Sequence, residues 1–263
     1  MKQPMLSVAE ARARVIAPAR GLDVKIETIP LEHGLGRTLA ADLTARRTQP
    51  PSAVSAMDGY ALRAADAAAP GARLRLIGES AAGHGFTGRV GPGETARIFT
   101  GAPVPDGADT ILIQEDAAVA DGVVTAQVAL PANKHIRAAG ADFAEGEVLL
   151  KAGRLLGASE LALAAAMNHA LLPVARKPLV AILATGDELV RPGEDCGPDQ
   201  IVASNAYAVA AQVEQAGGLS LDLGIARDNH AALEKAIRKA RKAEADVLVT
   251  LGGASVGDHD LVK

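Results

Sequence analysis

From Lys177 onward the sequence alternates with a regularity that few folds can satisfy. An apolar run at Leu179 to Ala184 gives way to a helical stretch at Ser204 to Gln215 closed by Gly217, a second run at Leu221 to Ile225, a helix from His230 to Lys242, and a third run at Asp246 to Leu251. Runs that read as continuous Val, Ile and Leu are buried on both faces, and strands reach that state in a parallel sheet whose crossovers are helices. The C-terminal third is therefore expected to be α/β. Doubly wound sheets generally hold more than three strands, so the expectation is either of a fragment or of an unusually small fold.

The remainder has a different texture. Ser7 followed by Glu10 forms a capping box ahead of apolar positions Val8, Ala11 and Val15, which predicts a helix over 6–18. Between about Gln49 and Gly140, short runs at Leu74 to Ile77, Thr110 to Ile113 and Val123 to Val128 are separated by Gly-Pro, Pro-Gly and Asp-Gly pairs, the pattern of a β-rich region. Helix returns over 158–170, with Ser159 as the expected N-cap. Helix before and after a β-rich stretch points to one domain inserted into another. The expected fold class is multidomain α/β plus β-rich. A discontinuous helical linking domain takes 1–45 and 145–177, a β-rich domain 46–144, and an incomplete parallel-sheet α/β domain 178–263.

Charge and composition narrow the partners. Twenty-seven Lys and Arg against 31 Asp and Glu leave a net charge of −4, the wrong sign for neutralising many phosphates, so nucleic acid is not expected. The single cysteine, Cys196, cannot make an internal disulfide or a cysteine-built metal site and fits a reducing compartment. The N-terminus reaches Glu10, Arg12 and Arg14 with no apolar stretch of signal-peptide length, and the longest apolar run, Leu161 to Met167, is far short of the ~20 residues of a spanning helix. No membrane span and a cytoplasmic location are expected. With three Phe, two Tyr and no Trp, aromatic stacking platforms are scarce, so a bound pterin or nucleotide would be held by backbone and carboxylates.

Each C-terminal run is followed by a polar loop: Thr185-Gly186-Asp187-Glu188, Arg227-Asp228, and Gly252-Gly253-Ala254-Ser255-Val256-Gly257-Asp258-His259-Asp260. In open α/β sheets ligands bind beyond the carboxyl ends of the strands, so these loops are expected to converge on one crevice. Acidic residues are common in loops, and Asp228 alone reads equally well as the N-cap of the next helix. Three loops together favour a site. Clustered carboxylates call for a cation, and hard oxygen donors suit Mg²⁺ shared with ligand phosphates. Glycines 252, 253 and 257 would let backbone amides approach an anion.

Three motif matches are set aside. Gly83 to Gly88 fits G-x-G-x-x-G but runs into Arg89-Val90-Gly91-Pro92-Gly93, which cannot open a helix. Gly253 to Gly257 fits G-x-S-x-G, yet too few residues follow for a downstream acid and His. The six histidines show no H-x-x-x-H or H-x-H spacing, so they read as structural or surface residues.

Four segments appear in one order: Ser55-Ala56-Met57-Asp58-Gly59-Tyr60-Ala61; Arg97 to Pro103 with Gly107-Ala108-Asp109 and Glu115-Asp116; Thr185-Gly186-Asp187-Glu188-Leu189; and Gly252 to Asp260. Together they resemble the molybdopterin molybdenumtransferase family of MoeA and the gephyrin E-domain. Arg137-Ala138-Ala139-Gly140-Ala141-Asp142 resembles a further family segment, with Ala141 where the family often has an acidic residue. The resemblance implies molybdenum insertion into adenylylated molybdopterin from molybdate, with Mg²⁺ and release of AMP, forming molybdenum cofactor. It implies Asp58, Thr100, Asp142, Glu188, Asp228 and Asp260 as catalytic residues. Of these, Glu188, Asp228 and Asp260 would hold the metal, while Gly252, Gly253, Ser255 and Gly257 would bind the cofactor. It further implies a molybdopterin-binding-like α/β domain and a homodimer whose site is shared, with Asp58, Thr100 and Asp142 supplied by the second subunit. Molybdopterin adenylyltransferase would be an upstream partner.

Family chains continue beyond the last α/β loop, so the resemblance also implies a C-terminally truncated chain. Two rival readings follow. Molybdopterin adenylyltransferase resembles the α/β domain alone and lacks the Ser55 to Tyr60 and Thr100 to Pro103 motifs. A gephyrin-like scaffold, or an inactive fragment, would act without catalysis, and a scaffold calls for an exposed apolar or aromatic groove.

Overall fold

A computed structural model describes residues 6–19 and 24–252. The chain divides into two compact units: Met1–Ala40 with Gly153–Gly157 and Leu172–Lys263, and Ala41–Ala152 with Ala158–Leu171. The junctions show how one sits within the sequence of the other. Leu39 donates to Arg154 O at 2.9 Å, Gly153 to Leu39 O at 2.8 Å and Leu156 to Arg37 O at 2.8 Å, so the outgoing and returning chains run side by side. The second unit thus interrupts the first along the sequence and is termed the inserted unit, the first the outer unit; Ala158–Leu171 groups with the inserted one.

The capping box forms as expected. The Ser7 amide and hydroxyl donate to Glu10 Oε2 at 2.9 and 2.7 Å, and the Glu10 amide donates back to Ser7 Oγ at 3.3 Å, ahead of helix α1 (Val8–Ala19). Val8 and Val15 are exposed, so this helix rests on its cap rather than on burial of those positions.

The inserted unit is built on a six-stranded sheet, ordered Thr110–Ile113, Gly59–Leu62, Glu94–Ile98, Arg73–Ser80, Val123–Ala126, Ala117–Ala120. Only Arg73–Ser80 beside Glu94–Ile98 is parallel. Strand Gly59–Leu62 is buried throughout. Its alternation sends Tyr60 and Leu62 into a cluster with Leu74, Leu112 and Val124, and Ala61 into a second cluster with Ile98, Ala102 and Ile111 on the other face. Gly59 is required by close approach, because a Cβ there would sit 1.9 Å from the Leu112 carbonyl oxygen.

Helix α2 (Ala158–Ala166) begins one residue before the expected cap, so Ser159 lies inside it. It also stops short of residue 170. Asn168 takes φ 69° and donates to Ala165 O at 2.9 Å, while His169 donates to Ala164 O at 3.0 Å, the paired bonds of a Schellman ending. Asn tolerates the left-handed region, and that was the overlooked stop signal.

In the outer unit the three C-terminal runs form a parallel sheet with Leu179–Thr185 central, flanked by Leu219–Ala226 and Val247–Leu251. Helices α3 (Asn205–Gln215) and α4 (His230–Lys242) provide the crossovers. Leu233 and Ala236 of α4 pack with Leu183 and Ala226 of the sheet, while Lys239, Arg241 and Lys242 complement the helix C-terminus. The cap of α4 is Asn229, whose Oδ1 accepts from Ala232 N at 2.9 Å; the alternative placing Asp228 there is not what forms.

Asp246 stitches the sheet's lower end. Its carboxylate accepts from Leu179 N at 2.7 Å and from Arg176 Nη2 at 2.6 and 2.7 Å. The Leu179 amide, and then the Arg176 guanidinium, hold this carboxyl below its ordinary range despite the opposing effect of burial. A depressed folded pKa contributes stability that is present above the unfolded value, near ~3.9, and is lost as pH falls through the folded one. The urea-midpoint gap between wild type and Asp246→Asn is therefore expected to be full at neutral pH and to shrink below about pH 4. A gap independent of pH would show that these bonds are not what depresses the carboxyl.

Candidate functional site

In the outer unit a cavity of about 210 Å³ opens at the carboxyl end of the sheet. It is lined by Thr185 and Glu188 from the first loop, Leu251 and Gly252 from the third strand's end, and Ser204 and Asn205 at the start of α3. The local sequence explains the shape. Leu189–Val190 pairs in parallel with Ile201–Val202, with Ile201 N donating to Glu188 O at 2.9 Å and Ala203 N to Val190 O at 2.9 Å, which delivers Ser204 to the rim. Gly252, at φ 103°, passes so close to the first loop that a Cβ would lie 2.5 Å from the Thr185 carbonyl oxygen.

The second loop is tied to the first without lining this cavity. The Arg227 guanidinium donates to the Asp187 carbonyl, and the Asp228 amide to Asp187 Oδ1 at 3.3 Å; the Asp228 side chain is exposed. So the structure brings Glu188 and Gly252 together, with Asp228 beside Asp187. Gly253, Ser255, Gly257 and Asp260 lie outside the described residues. Ser204 and Asn205 were missed by sequence reasoning, although a helix N-terminus facing the strand ends is a general anion-binding arrangement.

The inserted unit carries a second constellation. Thr100 donates to Asp58 Oδ1 from both its amide and its hydroxyl, each at 2.7 Å. The Thr100 amide first, its hydroxyl next, and the nearby Arg97 charge hold the Asp58 carboxyl below its ordinary range, so at neutral pH it is an acceptor only. The surrounding backbone is tightly tied. Gln114 N donates to Asp58 O at 3.1 Å, Ser55 N to Ala102 O at 2.9 Å, Gly101 N to Ser55 O at 2.8 Å, and Ala56 N to His135 O at 2.9 Å. His135 holds φ 59°, an unusual conformation beside a functional candidate. Asp142 joins this network through Arg137, whose Nη2 donates to Asp142 Oδ1 at 2.6 Å while Arg137 pairs in register with Val54.

The oxygen-rich lining of the outer cavity, from Thr185, Glu188, Ser204 and Asn205, fits a hard divalent cation that also takes ligand phosphate oxygens. Among the described residues no three His, Cys, Asp or Glu side chains stand together as a self-sufficient metal site.

The first part of the chain, residues 6–168, matches the family model "MoeA N-terminal region (domain I and II)", and residues 181–263 match "Probable molybdopterin binding domain". A molybdopterin molybdenumtransferase of Nostoc sp. is 38% identical over 265 residues, covering 98% of this chain and 61% of the relative. That of Haemophilus influenzae is 34% identical over 98% of this chain and 64% of the relative. The crystal structure of a molybdopterin biosynthesis MoeA protein from Pyrococcus horikoshii superposes with a TM-score of 0.84 at 34% identity, covering 95% of this chain and 64% of that one. The chain thus spans about three fifths of the length of these relatives. The tandem match, spread over both units and joined to close structural likeness, places the chain in the MoeA family.

Proposed function

We propose that the chain acts in the insertion of molybdenum into adenylylated molybdopterin, releasing AMP and forming molybdenum cofactor. The observation that carries this reading is the two family matches following one another along a single polypeptide, 98% of which aligns with relatives named molybdopterin molybdenumtransferase. Adenylylated molybdopterin and molybdate are the proposed substrates.

The chemistry follows from the residues. In the outer unit, Glu188, with the oxygens of Thr185, Ser204 and Asn205 around the same cavity, would hold Mg²⁺, and Asp228, on the adjoining loop outside that lining, and Asp260 are proposed to complete the set; the ion when bound neutralises phosphate oxygens at the phosphoanhydride. Backbone amides at Gly252 and at the start of α3 can receive phosphate oxygens. Gly253, Ser255 and Gly257 are proposed to cradle the same ligand. The ionised Asp58 can orient a water or accept its proton as that oxygen bonds to phosphorus and the anhydride P–O bond breaks. Thr100 fixes which Asp58 oxygen is free. The reading also includes a homodimer in which Asp58, Thr100 and Asp142 serve the partner's cavity, an upstream molybdopterin adenylyltransferase and a cytoplasmic setting. The exposed, unpaired Cys196 is compatible with that setting. Among the described residues no helix is long and apolar enough to cross a membrane.

Calorimetry with AMP tests the cavity. Binding is expected to require Mg²⁺ and to weaken at least ~10-fold in Glu188→Gln, the loss of one charge-assisted contact. Equal AMP affinity with and without Mg²⁺, unchanged by the substitution, would remove the cavity from the mechanism.

A further inference from the structure

The inserted unit holds one cation in an unusual setting. Arg97 lies over the rings of both Tyr60 and Phe99, its guanidinium carbon 4.9 Å from each centroid, so two of the chain's five aromatic residues face one side chain. Its Nη1 donates to Gly59 O at 3.3 Å and its Nη2 to Gln114 Oε1 at 2.8 Å. Three of these partners are one step from the Asp58–Thr100 pair. Gly59 follows Asp58, Phe99 precedes Thr100, and the Gln114 amide donates to the Asp58 carbonyl. In the sheet Arg97 stands in register with Tyr60 on one side and Glu79 on the other.

A planar fork lying over two rings ties together strand Gly59–Leu62, the residues that follow Arg97's own strand, and the turn Gln114–Asp116, which a flexible ammonium cannot do. We propose that Arg97 is a positioning residue for Asp58 and Thr100, locking the three chain segments that present them and fixing the geometry in which Thr100 donates twice to one carboxylate oxygen. Its role is exerted through the pair. The proposal deepens the proposed function in giving Asp58 and Thr100 a role, but the clamp itself can be tested without turnover.

Glu79, in register with Arg97 on the neighbouring strand, and Glu115, whose Oε1 accepts from Gln114 Nε2 at 3.3 Å, both remain in every variant below. The experiment is carbonyl-detected NMR of Asp58 with amide hydrogen exchange at Thr100, in wild type, Arg97→Met and Arg97→Lys. In Arg97→Met the Asp58 carboxyl is expected to titrate at higher pH, and the Thr100 amide to exchange about 10-fold faster, the effect of losing one modest charge-assisted restraint. Arg97→Lys should return the titration toward wild type without restoring Thr100 protection. Gln114→Leu, which removes an exposed partner of the fork together with the side-chain bond to Glu115, should speed Thr100 exchange in the same direction and covers the case in which Arg97→Met does not fold. Wild-type titration and exchange in Arg97→Met or, should that not fold, wild-type exchange in Gln114→Leu overturns the proposal, as does full restoration of both by lysine. An inactive protein with these NMR changes intact would count against the proposed reaction and leave the clamp standing.

Discussion

Gly59→Ala is expected to lower the melting temperature by roughly 6–12 °C, corresponding to about 3 kcal/mol in a chain of this size. The added carbon would lie 1.9 Å from the Leu112 carbonyl oxygen, which is backbone and cannot rotate away. Strand Gly59–Leu62 would have to separate from Thr110–Ile113, loosening Tyr60 and Leu62 on one face of the sheet and Ala61 on the other. Val119→Ala, on an edge strand and half exposed, provides the control and should stay within about 0.5 kcal/mol. Differential scanning calorimetry of both variants decides it: a Gly59→Ala protein melting with the control would mean that the two strands are not in such close contact.

The second large effect concerns activity. Asp58→Asn keeps the shape of the side chain and an oxygen acceptor for Thr100, but removes the charge that could accept a proton. Molybdenum insertion assayed with adenylylated molybdopterin and molybdate is expected to fall about 10²- to 10³-fold, the range for losing a positioned base, while the melting temperature changes little. The proposed shared site makes a sharper version possible. If Asp58 serves the partner's cavity, Asp58→Asn subunits mixed equally with Glu188→Gln subunits give half heterodimers, each with one intact site, and recover about a quarter of wild-type activity. Activity no higher than that of either variant alone would remove the shared site while leaving the single-variant result in place.

Much of this was legible in the chain. The parallel sheet followed from runs of Val, Ile and Leu spaced by helices; burial is complete over Ala181–Thr185 of the central strand, while Val247 and Leu248 on the flanking strand are exposed. The Ser7–Glu10 cap is a local exchange of hydrogen bonds and needs no tertiary context to be read. Helix ends were harder. The stop of α2 at Asn168 depends on one residue's tolerance of positive φ, and the cap of α4 fell to Asn229 rather than its neighbour Asp228 through a choice of backbone angles that composition does not express.

The candidate site divides along the same line. Motif order marked Asp58, Thr100, Asp142 and Glu188 as residues of interest, since spacing along the chain is preserved whatever the fold does. What only the tertiary structure decided is which atoms meet. Two Thr100 donors reach a single Asp58 oxygen across 42 positions, and Arg97 lies over the ring of Tyr60 on a neighbouring strand and that of Phe99 just past its own. Ser204 and Asn205 reach the cavity that Glu188 lines. These contacts depend on strand register, on the loops that leave the strands and on crossover length. A shift of one residue along the sheet turns every side chain to the opposite face, so patterning alone could name the residues without pairing them.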